Sequence, residues 1–328
     1  MATGGKQQEI LKGNVLNIQH FCTNDGPGIR TTVFLKGCSL RCKWCSNPES
    51  IHKKAELGYN DGKCIGKDAC GLCLPVCPES ALFKIDSDDK IKTNWDLCTN
   101  CGKCIPICPS NALFEYGQWM TVDEVLTEVE LDSGFYRESG GGITISGGEC
   151  MLQPEFVSAL LAEAHQRGIN TAIETAFNVP WSFAEQVLPH VDTVLHDHKI
   201  SNPDRHKQWC GADNRLIRSN QEKAYQTFPD KKFIARTPVI PGVNDDEENI
   251  RDVLAFIRPY KNVVDYELLP YFRFGESKYG FLGRVYELAD FKPPTHETLV
   301  KLRSIIDEVF GRNVNPPDPD STKKGGLP

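Results

Sequence analysis

The sequence predicts an α/β chain, a partial barrel of six β/α units interrupted by a cysteine-rich insert. Three observations predict it. Apolar, strand-like runs recur at 31–37, 143–146, 171–175, 191–199, 232–239 and 264–269, and amphipathic segments separate them, the alternation that builds parallel sheets. Between residues 56 and 113 the alternation gives way to a stretch dense in Cys, Gly and Pro. Within it, CIGKDACGLCLPVCPESALF and CTNCGKCIPICPSNALF repeat one another, which marks a small duplicated module.

In chain order, residues 1–55 supply the first part of the barrel, 56–113 the insert and 114–311 the rest. Thr121-Val122-Asp123-Glu124 reads as a capping box, and Val122, Val125, Leu126 and Val129 follow at helical spacing. A second helix runs from near Pro154 toward Gly168, a residue suited to stop it. Residues 312–328 are rich in Pro, Asp, Lys and Gly and are expected to be a disordered tail.

The chain has 328 residues, enough for one large catalytic domain and a small module. A net charge of -7 gives no basis for a nucleic-acid or membrane surface. The N-terminus has no apolar signal core, and no apolar run approaches the roughly 20 residues that span a bilayer. A soluble, cytoplasmic protein is expected. Fourteen cysteines are too many for such a chain unless they bind something, and eleven of them fall in three tight groups ending by Cys108.

The first group is Cys38-x3-Cys42-x2-Cys45, just after the first strand run. A structural zinc site wants four ligands; three thiolates leave one position open, which suits an iron–sulfur cluster that binds a substrate at one iron. Ser146-Gly147-Gly148-Glu149 follows the second run. Its glycines would let backbone approach a ligand, and its carboxylate could accept from an ammonium. In Asp197-His198-Lys199, alternation along the strand turns Asp197 and Lys199 inward and His196 and His198 toward the outer helices. The histidines are thus expected between sheet and helix rather than on a metal. Arg236 falls near the end of the fifth run, where barrels build their sites.

The stretch DGPGIRTTVFLKGCSLRCKWCSNPES, Asp25 to Ser50, resembles the glycyl radical enzyme activating enzymes of the radical S-adenosylmethionine (SAM) superfamily. The resemblance extends over most of the chain and implies a (β/α)6 radical SAM barrel. It also implies a 4Fe-4S cluster on Cys38, Cys42 and Cys45, with SAM on the fourth iron. Trp44 would lie against the adenine, and Gly147, Gly148 and Glu149 would take the SAM amino group. Asp197 and Lys199 match the DxK motif of the family, and Arg236 matches an arginine on the SAM carboxylate. Glu174, Thr175 and Asp197 match a monovalent-cation site. Asp25 matches a residue that meets the partner's glycine loop, although a turn carboxylate is an equally ordinary reading. Phe272 stands where relatives often have a histidine. The implied reaction is anaerobic: reductive cleavage of SAM to a 5′-deoxyadenosyl radical, which takes a hydrogen from a glycine of a partner glycyl radical enzyme.

The insert carries two ferredoxin runs, Cys64-x5-Cys70-x2-Cys73-x3-Cys77 and Cys98-x2-Cys101-x2-Cys104-x3-Cys108. In two-cluster modules the last cysteine of each run ligates the other cluster. One 4Fe-4S cluster is therefore expected on Cys64, Cys70, Cys73 and Cys108, and another on Cys98, Cys101, Cys104 and Cys77. A ferredoxin or flavodoxin would donate the electrons, and a monomer is expected. Cys22, Cys150 and Cys210 match no ligand pattern. Radical SAM chemistry on a small molecule, a bare electron carrier and a zinc protein are the alternatives.

Overall fold

The computed structural model describes residues 10–85 and 87–311; the expected tail at 312–328 lies outside the described residues. The chain opens with β1 (Lys12–Cys22) and β2 (Arg30–Leu35). The insert holds β3 (Glu56–Tyr59), β4 (Leu82–Ile85), β5 (Asp88–Thr93) and β6 (Leu113–Tyr116). There follow β7 (Gln118–Thr121), α1 (Val122–Glu130), α2 (Ser133–Ser139), β8 (Gly142–Gly147), α3 (Pro154–Gln166), β9 (Asn170–Thr175) and α4 (Trp181–Val187). Then come β10 (Thr193–Asp197), α5 (Pro203–Cys210), α6 (Arg215–Thr227), β11 (Lys232–Val239) and α7 (Glu247–Ile257). The chain closes with β12 (Val263–Pro270), α8 (Glu276–Phe281) and α9 (His296–Phe310).

The main sheet runs β12-β11-β10-β9-β8-β2-β1-β7. From β2 to β12 every pairing is parallel, the six strands expected of a partial barrel. β1 and β7 add an antiparallel flank that the apolar runs did not reveal. β1 mixes Lys, Asn, Gln and His into its length and is mostly solvent-facing along its second half, so it lacks the apolar signature of a buried strand. β12 and β7 are the two ends of the sheet and do not pair with each other, so the barrel stays open.

Local chemistry places the elements. At the start of α1, Thr121 Oγ1 accepts from Glu124 N (3.2 Å) and the Glu124 carboxylate accepts from Thr121 N (2.7 Å), so the capping box forms. The barrel core gathers Val33, Ile143, Ile145, Phe156, Leu160, Ile173 and their neighbours between sheet and helices. A second core, with Leu57, Tyr59, Leu82, Ile91 and Leu113, belongs to the insert. The buried Arg30 ties the loop after β1 to the sheet. Its guanidinium donates to Thr144 Oγ1 (2.6 Å), Ile143 O (2.5 Å), Asn170 Oδ1 (3.1 Å) and Pro27 O (3.0 Å). That fixes Gly26 to Gly28 and, with them, Asp25.

His196 and His198 sit between the sheet and the outer helices. His196 meets Phe177, Tyr225 and Phe233, and His198 meets Phe256. Burial, followed by the nearby Arg218, holds His198 down at about 3. An unfolded histidine binds its proton below roughly 6.5, so between about 6.5 and 3 the unfolded chain holds a proton that the folded one refuses. Stability from this site is complete above pH 6.5 and is lost as pH falls toward 3. His198→Phe is expected to flatten the acid limb of a thermal-midpoint profile over this window. An unchanged slope would mean that His198 is not buried neutral.

Candidate active site

The loop after β2 is built to present thiols. Gly37 N donates to Ser50 O (2.6 Å) and Cys38 N to Ile51 O (3.0 Å), closing a wide loop. The last carbonyls of α5 hold its far side: Arg41 N donates to Cys210 O (2.7 Å) and Lys43 N to Trp209 O (3.0 Å). Burial, reinforced by neighbouring thiols, pushes the Cys38 and Cys45 thiols up to about 12. Cys42 is shifted the other way, with a hydrogen bond from the Cys210 thiol as the main cause. Three partly buried thiols on one loop, with no fourth thiol in it, fit the open coordination of a substrate-binding cluster. Sequence reasoning gave Cys210 no role; its place 168 residues beyond Cys42 leaves no local signal.

The Ser146–Glu149 turn crosses behind that loop. Gly147 has φ of +115°, and a Cβ there would lie 2.2 Å from Leu35 N; one at Gly148 would lie 2.3 Å from Gly37 O. The close approach of two backbones by itself requires glycine at both positions. Glu149 is buried. Its Oε1 accepts from Thr175 Oγ1 (2.8 Å) and its Oε2 from Ala176 N (2.9 Å). Burial pushes its carboxyl up to about 7. Oε1 also accepts from Met151 N (3.3 Å) and is filled, while Oε2 keeps a free lone-pair direction, so an ammonium remains an acceptable donor there.

Asp197 closes β10, and Lys199 lies just beyond it, its Nζ donating to Asp197 Oδ2 at 2.5 Å. Burial works against the Lys199 charge, but Asp197 and the Cys42 thiolate overcome it and raise its affinity for the proton. Lys199 therefore stands charged beside the thiol loop.

Arg236 differs from expectation in two ways. It lies mid-strand in β11, level with Asp197 on one side and Glu267 on the other, because β11 continues to Val239. It is also 6 % exposed and heavily engaged: to Glu174 Oε1 (2.6 Å), Glu267 Oε2 (2.8 Å) and Asn24 O (2.7 Å). The expected cation ligands are split by this. Glu174 accepts from Arg236 and from Ser146 Oγ (2.5 Å), while Thr175 turns to Glu149. A guanidinium already neutralises the carboxylate a cation would need. Glu267 was unforeseen; its one signal was that it is one of two carboxylates, with Asp265, in the last strand run.

Trp44 is buried in the barrel core. Asp25 Oδ2 accepts from Thr32 Oγ1 (2.7 Å), and its carbonyl from Thr144 Oγ1 (2.7 Å). Phe272, just past β12, is 44 % exposed and stacks on Phe274 at 5.2 Å. Cys22 donates weakly to Gln19 O, and Cys150 is buried with its thiol on Glu174 O (3.3 Å).

In the insert, Cys77, Cys98, Cys101 and Cys104 line one cavity with Leu57 and Leu82; Cys64, Cys70, Cys73 and Cys108 line a second with Tyr59 and Leu113. The fourth thiol of each run crosses to the other cavity. Among the described residues, no three His, Cys, Asp or Glu side chains converge as for a single ion.

The chain is similar to known proteins. A family described as the Radical SAM superfamily matches residues 94–254, a 4Fe-4S dicluster domain matches 63–112, and a 4Fe-4S single cluster domain matches 24–68. The isethionate sulfite-lyase activating enzyme of Desulfovibrio desulfuricans is 47 % identical over 87 % of this chain and 89 % of its own. The chain belongs to the radical SAM activating enzymes of glycyl radical enzymes. The (2S)-3-sulfopropanediol sulfolyase activating enzyme of Bilophila wadsworthia is also 47 % identical, over 85 % and 92 %. The (2S)-3-sulfopropanediol dehydratase activating enzyme of Klebsiella oxytoca is 40 % identical, over 85 % and 88 %. Cleavage of SAM and removal of a glycine hydrogen on a partner enzyme are thus its chemistry. No helix among the described residues is long and apolar enough to cross a membrane.

Proposed function

We propose that this activating enzyme serves a glycyl radical enzyme that cleaves a carbon–sulfur bond of a small sulfonate, and that its insert feeds the electrons. Support for the partner comes from the relatives: the two at 47 % identity are named for a sulfite-lyase and a sulfolyase, the one at 40 % for a dehydratase.

The site's roles follow from its chain of contacts. Asn24, next to Asp25, has its carbonyl held by Arg236; Arg236 lies level with Asp197; Asp197 accepts from Lys199, which stands beside Cys42. That connected path, from the loop at Asp25 to the thiol loop at Cys42, is the observation that carries the reading, in which Asp25 meets the partner's glycine loop. Cys38, Cys42 and Cys45 hold the SAM cluster. Glu149 accepts from the amino group, Lys199 and Arg236 supply positive charge to the carboxylate, and Trp44 backs the adenine. Bound together, cluster and SAM supply one-electron cleavage and the means to remove a hydrogen atom. The protein orients the two reactants and keeps water away. Two further 4Fe-4S clusters occupy the insert, and a ferredoxin or flavodoxin reduces them.

Anaerobic incubation with SAM, reductant and each of three purified partners, an isethionate sulfite-lyase, a sulfopropanediol sulfolyase and a sulfopropanediol dehydratase, tests the partner. A lyase is expected to gain activity fastest. Activation of the dehydratase alone would overturn the assignment. Cys98→Ala is expected to slow activation driven by ferredoxin far more than activation driven by a chemical reductant; equal rates from both would make the insert structural.

A further inference from the structure

The two thiol sets of the insert stand at different distances from the barrel. β3 and β6 form a ladder with Glu56 opposite Tyr116, Leu57 opposite Glu115, Gly58 opposite Phe114 and Tyr59 opposite Leu113. Its Glu56 end is fastened to the barrel. The buried Lys36 donates to Glu56 Oε2 (3.1 Å) and Arg284 to Oε1 (2.5 Å). Its Tyr59–Leu113 end lies three residues farther along the strand, about 10 Å from that fastening.

Cys77, Cys98, Cys101 and Cys104 line the cavity that includes Leu57, and Asn100 Oδ1, between two of them, accepts from Leu57 N (2.8 Å). Cys64, Cys70, Cys73 and Cys108 line the cavity that includes Tyr59 and Leu113. Two residues along a strand are about 7 Å. The first set is therefore inner and the second outer.

A separate contact agrees. Trp95, three residues before Cys98, lays its indole on Gly283, where a Cβ would come within 2.0 Å of the ring. The segment leading to Gly283 begins against the SAM-cluster loop: a Cβ on Gly275 would lie 2.7 Å from Cys45 O, and Lys278 Nζ donates to Glu49 (2.6 Å). Tyr279, within it, is buried. Residues 275–283 thus span from the SAM-cluster thiols to Trp95.

We propose that the insert works as an ordered relay, with electrons entering at Cys64, Cys70, Cys73 and Cys108 and reaching the SAM cluster by way of Cys77, Cys98, Cys101 and Cys104. Trp95 and residues 275–283 form the bridge. The order rests on the reading of the insert as the electron route. One electron leaves an external low-potential carrier, a ferredoxin or flavodoxin. Each insert site is reduced and reoxidised once, so that only the carrier is oxidised and only SAM is reduced. Half-exposed Ile65 and Leu72 rim the entry side. Cys101, an inner ligand, is also exposed, so direct entry at the inner set is the competing outcome.

The full-length protein, as Cys64→Ser/Cys70→Ser and as Cys98→Ser/Cys101→Ser, separates these. After full chemical reduction, electron paramagnetic resonance reads spin relaxation of the SAM-cluster signal. The outer variant is expected to keep the fast relaxation caused by a neighbouring reduced cluster, and the inner variant to lose it. Freeze-quenched reduction by ferredoxin is expected to slow severalfold in the outer variant. The opposite relaxation pattern, or an outer variant reduced at the full rate, overturns the order. Trp95→Leu leaves every ligand in place and guards against misassembly. It should slow ferredoxin-driven reduction of the SAM cluster without changing the insert signals, and an unchanged rate removes the bridge. 5′-Deoxyadenosine formed with a chemical reductant reports separately on the SAM site, so its loss would count against the functional reading rather than the order.

Discussion

Replacing Cys38, Cys42 and Cys45 together by alanine is expected to abolish SAM cleavage while leaving the insert intact. Iron should fall from about twelve to about eight atoms per chain, and 5′-deoxyadenosine should drop to background under any reductant. The separation is expected because the insert has its own core of Leu57, Tyr59, Leu82, Ile91 and Leu113. Its cavities draw on no residue of the 37–51 loop. The barrel should also persist. The loop is held by backbone bonds to Ser50, Ile51, Trp209 and Cys210, and those do not need the thiols. Residual SAM cleavage in the triple variant would contradict the assignment of the loop. Loss of all iron would contradict the independence of the insert.

Arg236→Ala is expected to destabilise the barrel by about 3 kcal/mol, the low end of the range for removing one member of a buried ion pair. The low end applies because Glu174 and Glu267 keep 27 % and 37 % of their side-chain surface exposed, which screens the stranded charges. The loss also frees Asn24, so the loop that carries Asp25 is no longer tied to β11. Arg236→Lys should recover only part of the stability, since one ammonium cannot span two carboxylates and a carbonyl as the guanidinium fork does. Denaturant unfolding of the apoprotein checks this. A change below about 1 kcal/mol for the alanine variant would mean that the contacts to Glu174 and Glu267 are surface pairs of little weight. Adding Glu174→Gln to Arg236→Ala should restore stability if the stranded carboxylate is the source of the loss.

These two sites mark what could be read from the chain and what could not. Cys38, Cys42 and Cys45 fall within eight residues, so spacing alone shows a three-thiol loop. The insert's runs are equally local, and their repetition suggested the crossed thiol sets that line the two cavities. Strand and helix alternation was legible wherever strands are buried on both faces; it failed for β1 and β7, whose polar residues hide their pairing. Arg236 was visible as a residue but not as a node. Its partners lie 31, 62 and 212 residues away, and only the register of β9, β11 and β12 with the folded loop at Asn24 brings them together. The glycines at 147 and 148 have a reason the sequence does not show, the backbones of Leu35 and Gly37 lying against them. A sequence shows that a side chain is missing, not which backbone fills the space. Phe272, which stands where relatives often have a histidine, is half-exposed and packs on Phe274.

The central claim is that this chain makes a radical on another protein's glycine. Electron paramagnetic resonance of an anaerobic mixture tests it most directly. The mixture contains the reconstituted enzyme, SAM, a low-potential reductant and the sulfonate lyase. The account predicts a glycine-centred doublet on the lyase, formed in step with 5′-deoxyadenosine and absent from the Cys38/Cys42/Cys45 variant. SAM cleaved at full rate with no doublet on any of the three candidate partners would contradict it.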